Sequence, residues 1–223
     1  MRNLATLLLF LLISVIASAQ ETSVTKFLGI PIDGTKGDMI RKIEAKGFTY
    51  HSESNVLTGE FNGEEVLVSV GTNGNKVFRV CVMPIQYSSE AQIKIKYDNL
   101  IGDFINNGKY IPLSSDSVDD VDLGNEMWLY HKNFQAIFIQ LPTKLTDPTI
   151  TNDIANYLKE KYTPEQLSDT LFLLTKIVEA EKYIATKYSN NIVWASIYRD
   201  SREKFKIILY YDNRKNQSHG EDL

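Results

Sequence analysis

Residues 4–16 (LATLLLFLLISVI) form an almost unbroken apolar block behind Met1-Arg2-Asn3 and ahead of Ala17-Ser18-Ala19. A short positive start, an apolar stretch and small residues before Gln20 make the layout of a cleavable secretory leader. The block is thirteen residues long, whereas a spanning helix needs about 20. The reading is a signal peptide over 1–19 and one body over 20–223. Beyond it the apolar positions alternate between two periods. Thr35 followed three residues later by Asp38 predicts a helix start. Met39, Ile40 and Ile43 supply its apolar stripe, and Gly47 stands where a stop belongs. Residues 56–61 (VLTGEF) and 66–70 (VLVSV) read as strands. They meet across Asn62-Gly63, a pair suited to a type I′ turn because both residues accept positive φ. Asn73-Gly74-Asn75 then turns the chain into a third strand, 77–83, completing a meander.

Ser89 caps a second helix over 90–107, in which Ile93, Tyr97, Leu100, Ile101, Phe104 and Ile105 keep the 3.6-residue period and Gly108 ends it. A polar, acidic loop (114–125) leads to an expected hairpin: strand 126–130, a turn at His131-Lys132-Asn133, and strand 134–141, closed by Pro142. After a Thr/Asp/Pro-rich linker (142–149) comes a short helix over 150–162. Thr163-Pro164-Glu165-Gln166 then opens a long helix to about 188, with Thr163 as cap and Pro164 in the first turn. Asn190-Asn191 breaks it. Strands 192–198 and 204–211 follow around a turn at Asp200-Ser201, and a polar tail ends the chain.

Short hairpin connections exclude a parallel sheet, which needs crossovers of a dozen or more residues. The expected class is therefore α+β: an antiparallel sheet, built as a meander plus two hairpins, packed against about three helices. A subdivision at 142–149 stays open. One face of each strand is apolar, as Val66/Val68/Val70, Phe134/Ala136/Phe138 and Phe205/Ile207/Leu209 show. Ile137/Ile139/Leu141 and Val193/Ala195/Ile197 give the later strands a second apolar face, so these strands are expected to be covered on both sides.

The opening FLGIPIDGTKGDMIRKIEAKGF, the hairpin VLTGEFNGEEVLVSV with TNGNKVFRV behind it, and the ending YYDNRKNQSHGEDL resemble an uncharacterised family of exported proteins from gut-dwelling Gram-negative anaerobes. The GIPIDG and YDN…GEDL segments are the specific parts. The resemblance implies an envelope or secreted location and carries no activity and no catalytic residue. In architecture alone, the helix-plus-meander units are similar to beta-lactamase-inhibitor-protein-like domains, and fold does not confer function.

Composition narrows the partners. Arg2 leaves with the leader, so the body keeps 23 basic against 28 acidic side chains, a net charge of −5. Such a chain lacks the basic footprint of a nucleic-acid binder and a cationic face for anionic lipid. No integral membrane segment remains after cleavage. The single cysteine, Cys81, cannot form an internal disulfide; within VFRVCVM it reads as a small buried hydrophobe. His51, His131 and His219 sit in loops or at strand ends with no second ligand at zinc spacing. There is no nucleophile elbow, Walker run or zinc-protease helix, so no catalytic, cofactor or metal residue is assigned. The acids Asp116, Asp119, Asp120, Asp122 and Glu126 fail the EF-hand register, since counting from Asp120 places Asn125 where glycine belongs; a solvated loop is the reading, with a calcium site of another kind left open because carboxylates suit that ion. Asn216-Gln217-Ser218 fits the glycosylation triplet and is read as coincidence in a chain of bacterial character.

What is left over is aromatic: Trp128, Tyr130, Trp194, Tyr198 and Tyr211, with Tyr210 beside the last, on or near the late strands. Aromatics favour strands as packing residues; on an uncovered sheet face they would make a binding platform. The functional expectation is a periplasmic or secreted, non-catalytic module that binds a protein or a glycan through a sheet face or loops. The alternatives are a hydrolase assembled from scattered residues, with His51 or His131 as base, and a structural envelope component.

Overall fold

The computed structural model describes residues 23–200 and 203–218. The expected leader and the start of the body at Gln20 lie outside them, as do Ser201 of the expected turn and the end of the tail with His219. The elements run in this order: β1 (Lys26–Phe27), β2 (Ile30–Pro31), α1 (Lys36–Glu44), β3 (Thr49–His51), β4 (Val56–Phe61), β5 (Glu64–Asn73), β6 (Lys76–Pro84), α2 (Glu90–Asn107), β7 (Tyr110–Ser115), α3 (Leu123–Leu129), β8 (Gln135–Gln140), α4 (Pro148–Lys161), α5 (Pro164–Ser168), α6 (Leu173–Lys187), β9 (Asn191–Arg199) and β10 (Phe205–Asn213). One-turn 3-10 helices lie at Thr170–Phe172 and Arg214–Asn216.

Eight strands form one antiparallel sheet in the order β3-β4-β5-β6-β10-β9-β8-β7, and β1 and β2 pair separately. The class is α+β. Six α-helices among the described residues exceed the expected three. The local signals behave as their chemistry requires. Thr35 accepts from the Asp38 amide, and Ser89 and Gln92 close a reciprocal capping box. Asn62 and Gly63 take φ of 52° and 77°, matching a type I′ turn.

Two expected elements fail. Residues 126–129 are helical, not a strand, and Tyr130 caps the helix end. The Asp122 carboxylate accepts from the Asn125 amide, and Glu90 at the start of α2 accepts from the Leu123 and Gly124 amides. Together these satisfy the orphan donors of a helix start. The edge partner of β8 is instead β7, a segment not singled out as a strand, whose last two residues were placed in the acidic loop; its Pro112 is tolerated on an edge strand beside a register shift. The long helix over 164–188 is broken as well. Asp169 is extended (ψ 123°) and its carboxylate accepts from the Leu171 amide, a local bond that competes with helix propagation.

The sheet has two unlike faces. Leu57, Val66, Val68, Val80, Val82, Leu209, Val193, Ala195, Ala136 and Phe138 point to one side, where β1–β2, α1 and α2 seal the main core. Phe27, fully buried, brings β1 against Phe61 and Tyr211 with ring centroids 5.5 and 5.2 Å away. The Gln140 amide meets both the Lys26 amide (2.6 Å) and carbonyl (3.0 Å), tying β1 to the sheet as a strand would. The other face is covered only towards β7, β8 and β9. There Ile150 of α4 and Ile184 and Tyr188 at the end of α6 pack on Ile139, Leu141 and Ile192. Val193, Ala195 and Ile197, expected on this second face, belong to the main core. The second face of β5, β6 and β10 is left part-exposed.

Candidate functional site

Pairing brings Ser69, Cys81, Tyr210, Trp194 and Ile137 into one row across five strands of the part-exposed face. Because neighbouring strands lie about 4.8 Å apart, directly opposed rings can stack. Trp194 and Tyr210 do so, centroids 3.9 Å apart and 14° from parallel. The next row sets Arg79 opposite Asp212. The Arg79 Nε donates to Asp212 Oδ1 and its Nη2 to Oδ2, both at 2.7 Å. The Trp194 Nε1 donates to the same Oδ2 at 3.0 Å. The guanidinium also lies 5.0–5.5 Å from the ring centroids of Tyr210, Trp194 and Phe78. One carboxylate thus fixes both a cation and an indole, in a fork geometry that lysine could not reproduce.

Electrostatics follow from this packing. The Asp212 hydrogen bonds raise the Arg79 pKa further, against the opposing effect of burial. Cys81 is half-buried rather than interior. Burial pushes its thiol up, and the Ser69 hydrogen bond and Arg79 only partly offset that. A raised thiol is a poor nucleophile at neutral pH. Burial likewise raises the Tyr210 hydroxyl.

Towards the other end of β9 a groove of about 360 Å³ opens, lined by Trp128, Asn133, Tyr198, Arg199, Ile208 and Tyr210 among others. Trp128 reaches it from α3 and is 63 % exposed, with the Arg199 guanidinium 5.4 Å from its ring centroid. Of the expected aromatics, Trp128, Trp194 and Tyr198 therefore converge on this face, joined by Tyr210. Tyr130 ends α3, largely exposed and outside the groove. Tyr211 is corrected to a core residue: in a strand it alternates with Tyr210, so it points to the opposite side and packs on Phe27. Arg79, Asp212 and Phe78 were not singled out beforehand. Alternation along the last strand puts Asp212 on the face of Tyr210, but nothing local pairs it with Arg79.

A second concavity lies between α2 and the sheet, as two adjoining clefts of about 220 and 340 Å³ that share Phe61, Asn62, Leu100 and Asp103. Neither histidine lines it. His51, on edge strand β3, hydrogen-bonds Thr58 Oγ1 at 2.8 Å in an exposed position. His131 follows α3 with φ of 52°, also exposed. In the acidic loop, Asp116 accepts from the Gln135 amide and Asp122 caps α3. Among the described residues no three of His, Cys, Asp and Glu gather as metal ligands, and no helix is long and apolar enough to cross a membrane. Comparison with protein-family models, with curated proteins and with solved structures finds no match.

Proposed function

We propose that this chain is an exported, non-catalytic binding module that holds a protein partner against the part-exposed face of β6, β10 and β9. The observation that carries this reading is the Arg79–Asp212–Trp194–Tyr210 cluster. Tryptophan, tyrosine and arginine dominate interface hot spots, and a hot spot binds best when its side chains are already ordered. Here one buried carboxylate orders both the guanidinium and the indole. Leu67, Met83 and Ile208 surround them as half-exposed apolar neighbours, the near-neutral surround that such a spot requires. Each ring of the Trp194–Tyr210 stack spends a face on the other, so the patch offers edges and a flat surface that suit a protein.

The second reading is a glycan in the groove. It is favoured by Trp128, an exposed ring beside Asn133, Ser196 and Asp200.

The test uses the secreted full-length protein as bait against envelope and culture-supernatant fractions, with hydrogen exchange to map any captured complex. The expected result is protection of β6, β9 and β10, with Trp194→Ala weakening capture at least tenfold. Protection confined to the α2 clefts, or capture indifferent to Trp194→Ala, would defeat the reading. A glycan-array signal lost in Trp128→Ala would move it to the second one.

A further inference from the structure

The apolar stripe of α2 is not fully covered. Ile93, Tyr97 and Phe104 are buried, whereas Leu100 on the same stripe is half-buried and lines both clefts between α2 and the sheet. The smaller cleft, about 220 Å³, has an apolar floor of Val66, Val82, Ile93, Ile207 and Leu209. A cavity of about 150 Å³ lined in this way already accepts benzene. Among its charged neighbours, Glu64 and Lys96 pair with each other at 2.5 Å, and the Lys206 ammonium stands over the Tyr87 ring.

The adjoining cleft, about 340 Å³, is polar: Lys26, Asp103, Lys109, Tyr110 and Gln140 line it. Its hydrogen bonds have a fixed direction. The Lys26 amide donates, so Gln140 Oε1 accepts, and the Gln140 Nε2 directs its two protons to the Lys26 carbonyl at 3.0 Å and the Tyr110 hydroxyl oxygen at 3.1 Å. Tyr110 therefore accepts within the wall and keeps its own proton for a partner. Among the described residues no acceptor takes that proton. Phe104 holds the ring edge-on, centroids 4.6 Å apart. Burial raises the Tyr110 hydroxyl in spite of the Gln140 bond, so it remains a donor at neutral pH. Among the described residues neither Lys26 nor Lys109 forms an ion pair; Asp103 is also unpaired, which leaves two cations against one anion.

The turn at this cleft carries a second sign. Leu28 and Gly29 join β1 to β2 with φ of 50° and 79°, matching a type I′ turn. Asn-Gly suits that turn, whereas a bulky apolar residue at positive φ is strained. Leu28 nonetheless holds the position, and its half-buried side chain lines the polar cleft. Strained residues of this kind gather at ligand clamps.

We propose that the joined clefts bind a small aliphatic carboxylate, its chain on the apolar floor and its head at the Tyr110 hydroxyl and the Lys26 and Lys109 ammonium groups. An apolar cavity with a few convergent polar groups is the usual form of a small-molecule site, and the joined volume falls within the usual range of about 300–1,000 Å³. The proposal goes beyond the protein-partner reading, because the clefts lie on the core side of the sheet, away from the part-exposed patch of β6, β10 and β9.

Octanoate, octanol and acetate are titrated separately into the full protein and followed by amide NMR. Octanoate is expected to give saturable shifts at Leu100, Tyr110 and Leu209. Octanol, which lacks the charge, and acetate, which lacks the chain, should each bind at least tenfold more weakly. Tyr110→Phe keeps the ring against Phe104 and removes the donated proton, so octanoate binding should fall about fivefold or more. That variant also takes an acceptor from Gln140, so a second one carries the test without touching the wall. Lys26→Gln with Lys109→Gln alters two exposed side chains; it should weaken octanoate about fivefold or more and flatten the salt dependence of its binding. Octanol binding as tightly as octanoate, no saturation with octanoate, shifts that map outside the clefts, or octanoate binding indifferent to both variants would each overturn the proposal. The protein-partner reading stands or falls separately, on whether capture of a partner responds to Trp194→Ala.

Discussion

Arg79 and Asp212, 133 residues apart in sequence, meet on adjacent strands through two hydrogen bonds of 2.7 Å, with Asp212 almost fully buried and Arg79 about one quarter exposed. A pair so placed is costly to break and cheap to replace whole, because the penalty lies in the charge left behind. Asp212→Asn is expected to lower stability by about 2–3 kcal/mol, less than a fully buried pair would lose, since water still reaches Arg79. Replacing both partners by leucine should recover most of that loss. Urea unfolding of the two singles and the double decides it, and additive losses would mean the pair is not coupled.

Gly59 lies in β4 directly beneath the Phe48 ring. A Cβ added there would sit 2.5 Å from Phe48 Cδ1, far inside van der Waals contact. Phe48 is itself buried in the main core and cannot swing into water freely. Gly59→Ala is expected to destabilise by about 1–3 kcal/mol, and Phe48→Leu in the same chain should recover part of it. A Gly59→Ala protein as stable as the parent by thermal unfolding would rule out this close approach.

The elements that could be read from sequence are those whose determinants sit within a few residues. Ser89 with Gln92, Thr35 with Asp38, and Asn62-Gly63 each complete a cap or turn locally, and each element formed where expected. The helix over 123–129 was hidden because part of its start comes from Glu90, some thirty residues earlier in the chain. The apolar run Trp128-Leu129-Tyr130 then mimicked a strand. The site divides in the same way. The stacking of Trp194 on Tyr210 follows from the register of one hairpin, whereas the pairing of Asp212 with Arg79 needed β6 to dock beside β10.

Asp33 anchors the end of the described chain to its beginning. Its Oδ1 accepts from Asn216 Nδ2 at 2.9 Å and from the Gly34 amide at 2.7 Å. The Asn216 bond, with help from Gly34, Lys76 and Lys215, holds the carboxyl below the ordinary aspartate range in spite of partial desolvation. A lowered folded-state pKa stabilises above the unfolded value and is lost as pH falls through the folded one. Asn216→Ala should therefore move the Asp33 titration upward in carboxyl NMR and shrink the acid-side loss of stability. An Asp33 titration unmoved by Asn216→Ala would assign the shift to another cause.

The α4–α6 hairpin sets apolar side chains of two kinds on one element. Ile184 and Tyr188 are about 95 % buried against Ile139, Leu141 and Ile192, whereas Leu171 and Leu174 near the tip are 89 % and 76 % exposed. Burial, not hydrophobicity, decides what each contributes. Ile184→Ala should cost about 2–4 kcal/mol by loss of packing and the cavity left behind. Leu171→Ser with Leu174→Lys should leave stability within about 0.5 kcal/mol while improving solubility, as expected when exposed apolar side chains are removed. Differential scanning calorimetry of the two proteins tests the contrast directly. A large loss from the tip variant would place the tip in contact with the body, against the sheet face that the hairpin leaves part-exposed.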